Sequence, residues 1–220
     1  KEGNKMKKFT IIATSIMLLA FANVNAVEKR IGLAAGLTNV EGDGTETLKD
    51  SGKKASKTVD DTTVIPSIFL ELAGDNGFGL GIEHVPGSAD IGTGSRADDD
   101  AETANGNKAS AEIDGLTSLY AIKTFDNGLF LKVGMTQTDV ITKETLNTGS
   151  TYGNKSVEGT LVGIGMHKVG DTGVFFRASA EYTDYDSFKL TSGTADAVTG
   201  TTNTIDADVD TTAFKISIGK

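Results

Sequence analysis

The chain has 220 residues, enough for one domain of ordinary size, and nothing in its middle resembles a linker between two cores. Its 27 glycines, 2 prolines, absence of cysteine and 38% hydrophobic residues suggest neither a long helix nor a disulfide scaffold. Acidic residues outnumber basic ones by 30 to 21, which gives a net charge of −9 and excludes nucleic acid as an expected partner.

The first 26 residues have the pattern of a secretory signal peptide. Lys7 and Lys8 follow Met6, an apolar run occupies positions 9 to 22, and Ala26 ends a small-residue cleavage site. A permanent transmembrane anchor is the alternative, but the run is shorter than the ~20 apolar residues that a spanning helix needs. We therefore predict a helical signal peptide within residues 1 to 26, cleavage after Ala26, and one barrel domain in residues 27 to 220.

Eight segments with period-two alternation follow the signal peptide, and this alternation is typical of β-strands. The predicted strands lie at residues 30 to 40, 63 to 73, 78 to 92, 113 to 125, 129 to 146, 157 to 169, 174 to 191 and 209 to 219. No segment after the signal peptide is long and apolar enough in sequence to predict a transmembrane helix.

The connections between these strands alternate in length. Three are tight turns in which glycine accepts a positive φ after Asp, Asn or Thr, namely Asp75-Asn76-Gly77, Asp126-Asn127-Gly128 and Asp171-Thr172-Gly173. The other four, at 41 to 62, 93 to 112, 147 to 156 and 192 to 208, are polar and are predicted to be long loops. All short turns then lie at one end and all long loops at the other, as in outer-membrane barrels.

Within most strands, aliphatic residues alternate with small, polar or charged ones. Leu131 and Val133 alternate with Lys132 and Thr136, for example, whereas the fourth and sixth strands alternate less cleanly. A soluble β-sandwich or lipocalin-like barrel needs large apolar residues on its inner face. Here the second face suits the narrow lumen of a small membrane barrel. The sequence therefore predicts an all-β fold, an eight-stranded antiparallel up-and-down transmembrane β-barrel.

With these features, the chain resembles the superfamily of small outer-membrane β-barrels that includes the OmpA transmembrane domain, OmpX-like proteins and opacity-type proteins. The resemblance covers residues 27 to 220, and residues 174 to 182 are similar to late strands of this group. It implies a place in the outer membrane of a Gram-negative-type bacterium, a surrounding lipid bilayer and insertion by the barrel assembly machinery. Members usually end in an aromatic residue, whereas this sequence ends in Gly219-Lys220, so we expect a few further residues in the natural chain.

Charged residues at positions predicted to face the lumen form the candidate site. These are Glu71, Glu83, Lys123, Lys132, Arg177, Glu181 and Lys215. Buried charges are costly unless they are paired, so their near balance predicts an ion-pair network that fills the lumen. A polar path for small solutes is the alternative.

The sequence indicates no catalytic, metal or cofactor site. His84 and His167 are the only histidines, and neither belongs to a recognisable triad with a serine and an acid. Two acidic clusters, one at 98 to 102 and one at Asp206, Asp208 and Asp210, lack the EF-hand pattern. We interpret them as solvated charge, and we expect a protein that is not an enzyme.

Three functions are compatible with this reading. The leading hypothesis is a membrane anchor whose four long loops contact surface partners, in adhesion, surface protection or phage contact. The alternative is a narrow porin-like channel for ions or small solutes. A soluble binding barrel is the third.

Overall fold

A computed structural model of the chain describes residues 27–47, 52, 54–96, 107–145, 152–193 and 202–220, so the predicted signal peptide lies outside the described residues. The described residues form ten strands: β1 (Val27–Thr47), β2 (Lys54–Gly74), β3 (Phe78–His84), β4 (Ser88–Arg96), β5 (Asn107–Thr124), β6 (Leu129–Thr145), β7 (Lys155–Val169), β8 (Phe175–Tyr185), β9 (Phe188–Thr191) and β10 (Thr204–Gly219). These described ranges hold no helix long and apolar enough to cross a membrane.

Eight of the strands close into a barrel. Hydrogen bonding follows the order β1, β2, β3, β5, β6, β7, β8 and β10, and β10 pairs again with β1. All pairs are antiparallel. β4 pairs with β5 beyond the end of β3, and β9 pairs with β10 beyond the end of β8. The prediction of an eight-stranded up-and-down barrel is confirmed.

The three predicted tight turns are present, and their glycines have the expected backbone. Gly77, Gly128 and Gly173 have φ values of 78°, 84° and 79°. Each glycine amide donates to the carbonyl three residues earlier, at 2.9, 2.9 and 3.0 Å. A Cβ on Gly77 would lie 2.2 Å from the carbonyl oxygen of Thr124. The hairpins therefore close tightly at this end of the barrel, which we call the turn end.

The prediction of long loops is wrong over much of their length, because the strands continue into these segments. β1 and β2 pair residue for residue up to Thr47 and Lys54, so most of segment 41 to 62 is a β-hairpin. β4 and β5 likewise pair as far as Arg96 and Asn107, and β10 begins at Thr204. Both faces of these extensions carry polar residues, which removes the alternation used for the prediction. Cross-strand pairing and β-branched residues nevertheless favour strands.

Two predicted strands are interrupted. The third divides into β3 and β4 at Val85-Pro86-Gly87, where proline lacks an amide donor and Gly87 has a φ of 92°. The seventh divides into β8 and β9 at Asp186 and Ser187. Both breaks lie at the end of the barrel opposite the tight turns, which we call the hairpin end.

A band of large apolar side chains covers the outside of the barrel. They include Ile31, Leu33, Leu37, Ile68, Leu70, Leu131, Val133, Ile164, Phe176, Phe214 and Ile216, each 45% or more exposed. Inward positions on the same strands hold buried polar or charged residues such as Ser67, Glu71, Lys132 and Thr136. We call the exposed band the apolar belt. An exposed apolar band of this size is stable only when it is covered. Lipid hydrocarbon can cover it, because the closed ring of strands leaves no row of backbone groups without hydrogen-bond partners.

The apolar belt predicts how a charge is tolerated at different heights on one strand. We expect Val133→Arg, at an outward position 51% exposed, to lower the free energy of unfolding in phosphatidylcholine vesicles by about 2 to 4 kcal/mol. Gln137→Arg, on the same face of β6 beyond the apolar belt, should cost only about 0 to 1 kcal/mol. Urea titration of both variants measures the difference, and equal losses would contradict the assignment of Val133 to lipid.

Candidate functional site

The inward faces of the eight ring strands bring a group of charged and aromatic side chains together in the lumen. Near the turn end, Arg30, Glu71 and Arg177 form what we call the turn-side cluster. Farther toward the hairpin end, Glu83, Lys132, Glu181 and Lys215 form the outer cluster. Each residue reaches the lumen because β-strands present alternate side chains to opposite faces.

Glu71 is the centre of the turn-side cluster, and its side chain is fully buried. Arg177 Nη1 and Nη2 donate to its two carboxylate oxygens at 2.8 and 2.7 Å, a bidentate pair. Arg30 Nη1 donates to Oε1 of Glu71 at 3.1 Å, and Arg30 is also paired with Glu28 at 2.7 Å. Two guanidinium groups are thus balanced by two carboxylates.

Aromatic rings enclose the guanidinium group of Arg177. Its central carbon lies 4.7 Å from the ring centroid of Phe175, 5.7 Å from that of Phe130 and 5.8 Å from that of Phe69. Its Nε donates to Nδ1 of His167 at 2.9 Å. The planar group therefore uses its edge for hydrogen bonds and its faces for ring contacts, an arrangement that lysine could not reproduce.

The outer cluster is a closed ring of alternating charges. Lys132 Nζ donates to Glu83 at 2.9 Å and to Glu181 at 3.0 Å. Lys215 Nζ donates to the same two carboxylates at 2.6 and 2.9 Å. The four formal charges cancel, and the Ser67 hydroxyl donates a further bond to Glu83 at 2.6 Å. Buried charges are stable only when they are satisfied in this way.

Tyr120 joins the two clusters. Its hydroxyl donates to Glu71 at 3.3 Å, while the ammonium group of Lys132 lies 4.3 Å from its ring centroid. The ring lies directly over Gly81, where an added Cβ would be 2.3 Å from Tyr120 Cζ. Glycine at position 81 is therefore required for the ring to fit across the lumen.

Six of the seven predicted site residues belong to this network, and the prediction for Lys123 needs correction. On β5 the inward positions are Ser118, Tyr120 and Ile122, so Lys123 lies on the outward face. Its Nζ donates to the carbonyl oxygen of Asn76 at 2.6 Å and lies 4.4 Å from the ring centroid of Phe78. β5 carries large apolar residues on both faces, so its alternation did not reveal which face is inward.

The sequence reasoning missed Arg30 and Tyr120. Arg30 is the first residue of the predicted strand 30 to 40 and shares the parity of the inward residue Gly32, so counting alternate residues back from Gly32 would have found it. Tyr120 shares the parity of Ser118 but lies on the strand with the unclear pattern. His167 does face the lumen, whereas His84 lies elsewhere, with its Nδ1 2.9 Å from Oγ1 of Thr117.

The acidic clusters show no cation-binding geometry where they are described. Asp206 is paired with Lys189 at 3.0 Å, and Asp206, Asp208 and Asp210 occupy alternate positions on β10. Within the described residues, no group of three His, Cys, Asp or Glu side chains is arranged to hold a metal ion. The cluster at 98 to 102 lies outside the described residues.

The lumen is packed on the turn side of the outer cluster and less completely filled on the hairpin side, where Val40, Val140, Val157 and Tyr185 form a buried apolar cluster. On the hairpin side of the outer cluster lies a cavity of about 430 Å³. Its lining includes Glu83, Glu181 and Lys215, which belong to the outer cluster and form its floor. The turn-side cluster and its aromatic rings fill the rest of the interior.

Solved structures of outer-membrane proteins are similar to this architecture. OprG from Pseudomonas aeruginosa matches with a TM-score of 0.55 and 8% identity over 86% of this chain and 95% of that chain. AlkL in DMPC bilayers gives 0.49, with 13% identity over 90% and 92%. Ail of Yersinia pestis, in complex with the heparin analogue sucrose octasulfate, gives 0.41, with 10% identity over 88% and 99%. Neither protein-family models nor curated protein sequences give a match.

At such low identity, the match to OprG establishes the fold alone. The chain has the fold of the small outer-membrane β-barrels, in agreement with its own strand order. Its lumen residues have to be interpreted from their own contacts.

The turn-side cluster predicts a large effect from the loss of one carboxylate. Glu71→Gln leaves the buried Arg177 without its charged partner, so we expect the free energy of unfolding to fall by about 3 to 5 kcal/mol. The control is Asp206→Asn, which removes the exposed pair with Lys189 and should cost at most about 1 kcal/mol. Urea titration of the refolded variants measures both. A loss at Glu71 no larger than the control would show that the cluster does not hold the barrel together.

Proposed function

We propose that this chain is an exported, non-enzymatic protein of the outer membrane of a Gram-negative-type bacterium. Its barrel anchors β-hairpins that contact partners outside the cell, in adhesion, surface protection or phage contact. The main support is the contrast between the two ends of the barrel. The turn end is tight and closed by charge, whereas strands at the hairpin end continue far beyond the apolar belt.

The closed lumen supports an anchor over a channel. An eight-stranded barrel has an interior just wide enough for side chains to fill. Here the Arg177–Glu71 pair and the rings of Phe69, Phe130 and Phe175 occupy the turn end. A solute would have to break buried charge pairs in order to pass, and such breaks are costly.

The longest hairpin has the form of a surface-contact element. From the last exposed apolar pair, Leu37 and Val64, β1 and β2 stay paired to Thr47 and Lys54, roughly 30 Å of strand at about 3.3 Å per residue. β10 pairs with β1 along the same stretch, as far as Thr204. Three strands in register make a stiffer extension than a loop of equal length.

The outer surface beyond the apolar belt is acidic. Asp60, Glu41, Asp210 and Asp184 are direct register partners on four neighbouring strands, and Asp43 lies opposite Asp208. Adjacent like charges create a negative potential that repels polyanions and favours cationic or uncharged partners. We therefore expect contact partners that are not anionic polymers.

The remaining partners in this proposal are the lipid bilayer and the barrel assembly machinery. The apolar belt supports the first, because exposed aliphatic and aromatic side chains of this kind are stable only when they are covered. The second follows from the resemblance to outer-membrane barrels and from the predicted export signal.

Epitope insertion tests which end of the barrel faces outward. A tag inserted after Gly52, in the connection between β1 and β2, should be stained on intact cells, because that connection lies at the hairpin end. A tag inserted after Asn127, in a tight turn, should be stained only after permeabilisation and should reduce folded protein, because that turn has no slack. The reverse staining pattern would contradict the proposed topology.

Planar-bilayer recording tests the anchor against the narrow channel. The refolded protein should give no stable unit conductance, because the turn-side cluster fills the lumen. If any current is seen, the Glu181→Gln variant tests whether the ions pass beside the outer cluster. Stable steps that change in size in this variant would place ions beside the outer cluster and would favour the channel.

A further inference from the structure

The barrel wall has an interruption beside the cavity. β2 pairs with β3 only from Ile68 to Ala73, and its register with β1 continues to Lys54 without any pairing of residues 54 to 67 on its other side among the described strands. β4, which follows β3 in the chain, pairs with β5 alone. The edges of β2 and β4 therefore approach each other in places, but the described strands form no hydrogen-bonded ladder between them. We call this gap the side opening.

The two prolines of the chain both lie at the side opening. Pro66 is on β2 two residues before Ile68, the first residue that pairs with β3, and Pro86 is in the break between β3 and β4. Proline has no amide proton, so neither residue can donate a hydrogen bond that would close the wall. The sequence thus favours an open wall at this position.

The side opening connects the cavity with the margin of the apolar belt. Thr63, Ile65 and Pro66 on one side, and Val85 and Pro86 on the other, are all part of the cavity lining. Val64, next to them on the outward face, is 64% exposed and pairs with Leu37 of the apolar belt. A molecule dissolved in the outer part of the bilayer would meet the cavity at this height.

The chemistry of the lining identifies a class of ligand. Apolar groups come from Val40, Ile113, Leu116 and Leu161, while hydroxyl groups come from Thr38, Thr136, Thr183 and Tyr185. The volume of about 430 Å³ falls within the range of roughly 300 to 1,000 Å³ that is usual for small-molecule sites. Such a lining suits an apolar chain that carries a small polar head.

The floor of the cavity argues against a charged head. Glu83, Glu181, Lys132 and Lys215 neutralise one another, so the floor offers no unpaired charge to an ion that has lost its water. The one other charged group among the described residues of the lining, Asp61, is exposed to solvent and accepts a bond from the amide of Thr62. An uncharged hydroxyl or amide head can instead bond to the threonine and tyrosine hydroxyls. The floor also separates the cavity from the turn end.

We propose that the outer half of the lumen is a binding site for a small uncharged amphiphile, such as a medium-chain alcohol, which enters from the lipid side through the side opening. This inference goes beyond the anchor function and does not depend on it. Because the floor is closed, the molecule binds in the cavity and does not pass on to the turn end. Binding is therefore compatible with a barrel that conducts no ions.

Methyl NMR in nanodiscs of perdeuterated phosphatidylcholine tests the site, with protonated 1-octanol as the probe. Ile65 and Ile113 line the cavity, whereas Ile31 and Ile216 belong to the apolar belt and serve as internal controls. We expect saturable shifts and contacts to octanol at the first two, and weak, linear shifts at the second two. Linear shifts of equal size at all four would indicate simple partitioning and would overturn the proposal.

Two further arms separate the ligand sources and head groups. With protonated lipid and no octanol, Ile113 should show no lipid contacts, and strong contacts would mean that a membrane lipid fills the site instead. Octanoate and octylammonium should bind at least about tenfold more weakly than octanol, a difference of roughly 1.4 kcal/mol. Equal binding of either ion would overturn the assignment of an uncharged head.

A filling variant completes the test. Thr183→Phe should weaken the saturable response at least about tenfold, because the new ring occupies the cavity. Tyr182→Phe, at the neighbouring outward position, is the matched control and should leave the response unchanged. If Thr183→Phe does not refold, Ala213→Phe fills the same cavity from β10. An unchanged response in a folded filling variant would overturn the proposal.

Discussion

The bidentate pair between Arg177 and Glu71 is the interaction on which the rest of the interior depends. It joins β8 to β2 across the lumen, and the rings of Phe69, Phe130 and Phe175 surround its guanidinium group. Most of the large apolar residues lie on the outside, and those inside include two small clusters in the described residues, one of Tyr120, Ile122 and Phe130 and one of Val40, Val140, Val157 and Tyr185. No single hydrophobic core therefore stabilises the interior. Charge pairs and the rings around them take that role. Such an interior holds only while every member has its partner, because an unpaired buried charge costs more than the pair contributes.

Each of the eight ring strands contributes a side chain to this interior. Besides Arg177 and Glu71, the contributions are Arg30 from β1, Glu83 from β3, Tyr120 from β5, Lys132 from β6, His167 from β7 and Lys215 from β10. Such a set fixes the register of the whole ring, since a shift of one residue would turn a strand's inward residue toward lipid. The close packing of these side chains across the lumen also requires glycine on the facing strands. The ring of Tyr120 can cross the lumen only because Gly81 has no side chain.

The sequence alone predicted those features that follow from alternation between lipid and lumen. Within the apolar belt one face is apolar and the other is not, so the eight strands, the three turns and six of the network residues could be inferred. Beyond the apolar belt both faces carry polar residues and the inward face is only partly buried, so the alternation is lost and the paired extension from Glu41 to Thr47 was mistaken for a loop. Lys123 was misplaced because β5 is apolar on both faces. The side opening could not be predicted from the sequence, because Pro66 and Pro86 come to lie beside the same opening only when the strands are assembled.

The division of the lumen into a filled half and an open half follows from where the charges lie. Glu83, Glu181 and Lys215 belong both to the closed network and to the floor of the cavity. Because their charges cancel with that of Lys132, the floor offers an incoming ion no net attraction while still costing it its hydration. The arrangement that closes the barrel to ions therefore leaves the space above it suited to uncharged molecules. The ion pairs of the outer cluster therefore both oppose the passage of ions toward the turn end and determine which molecules the space above them can hold.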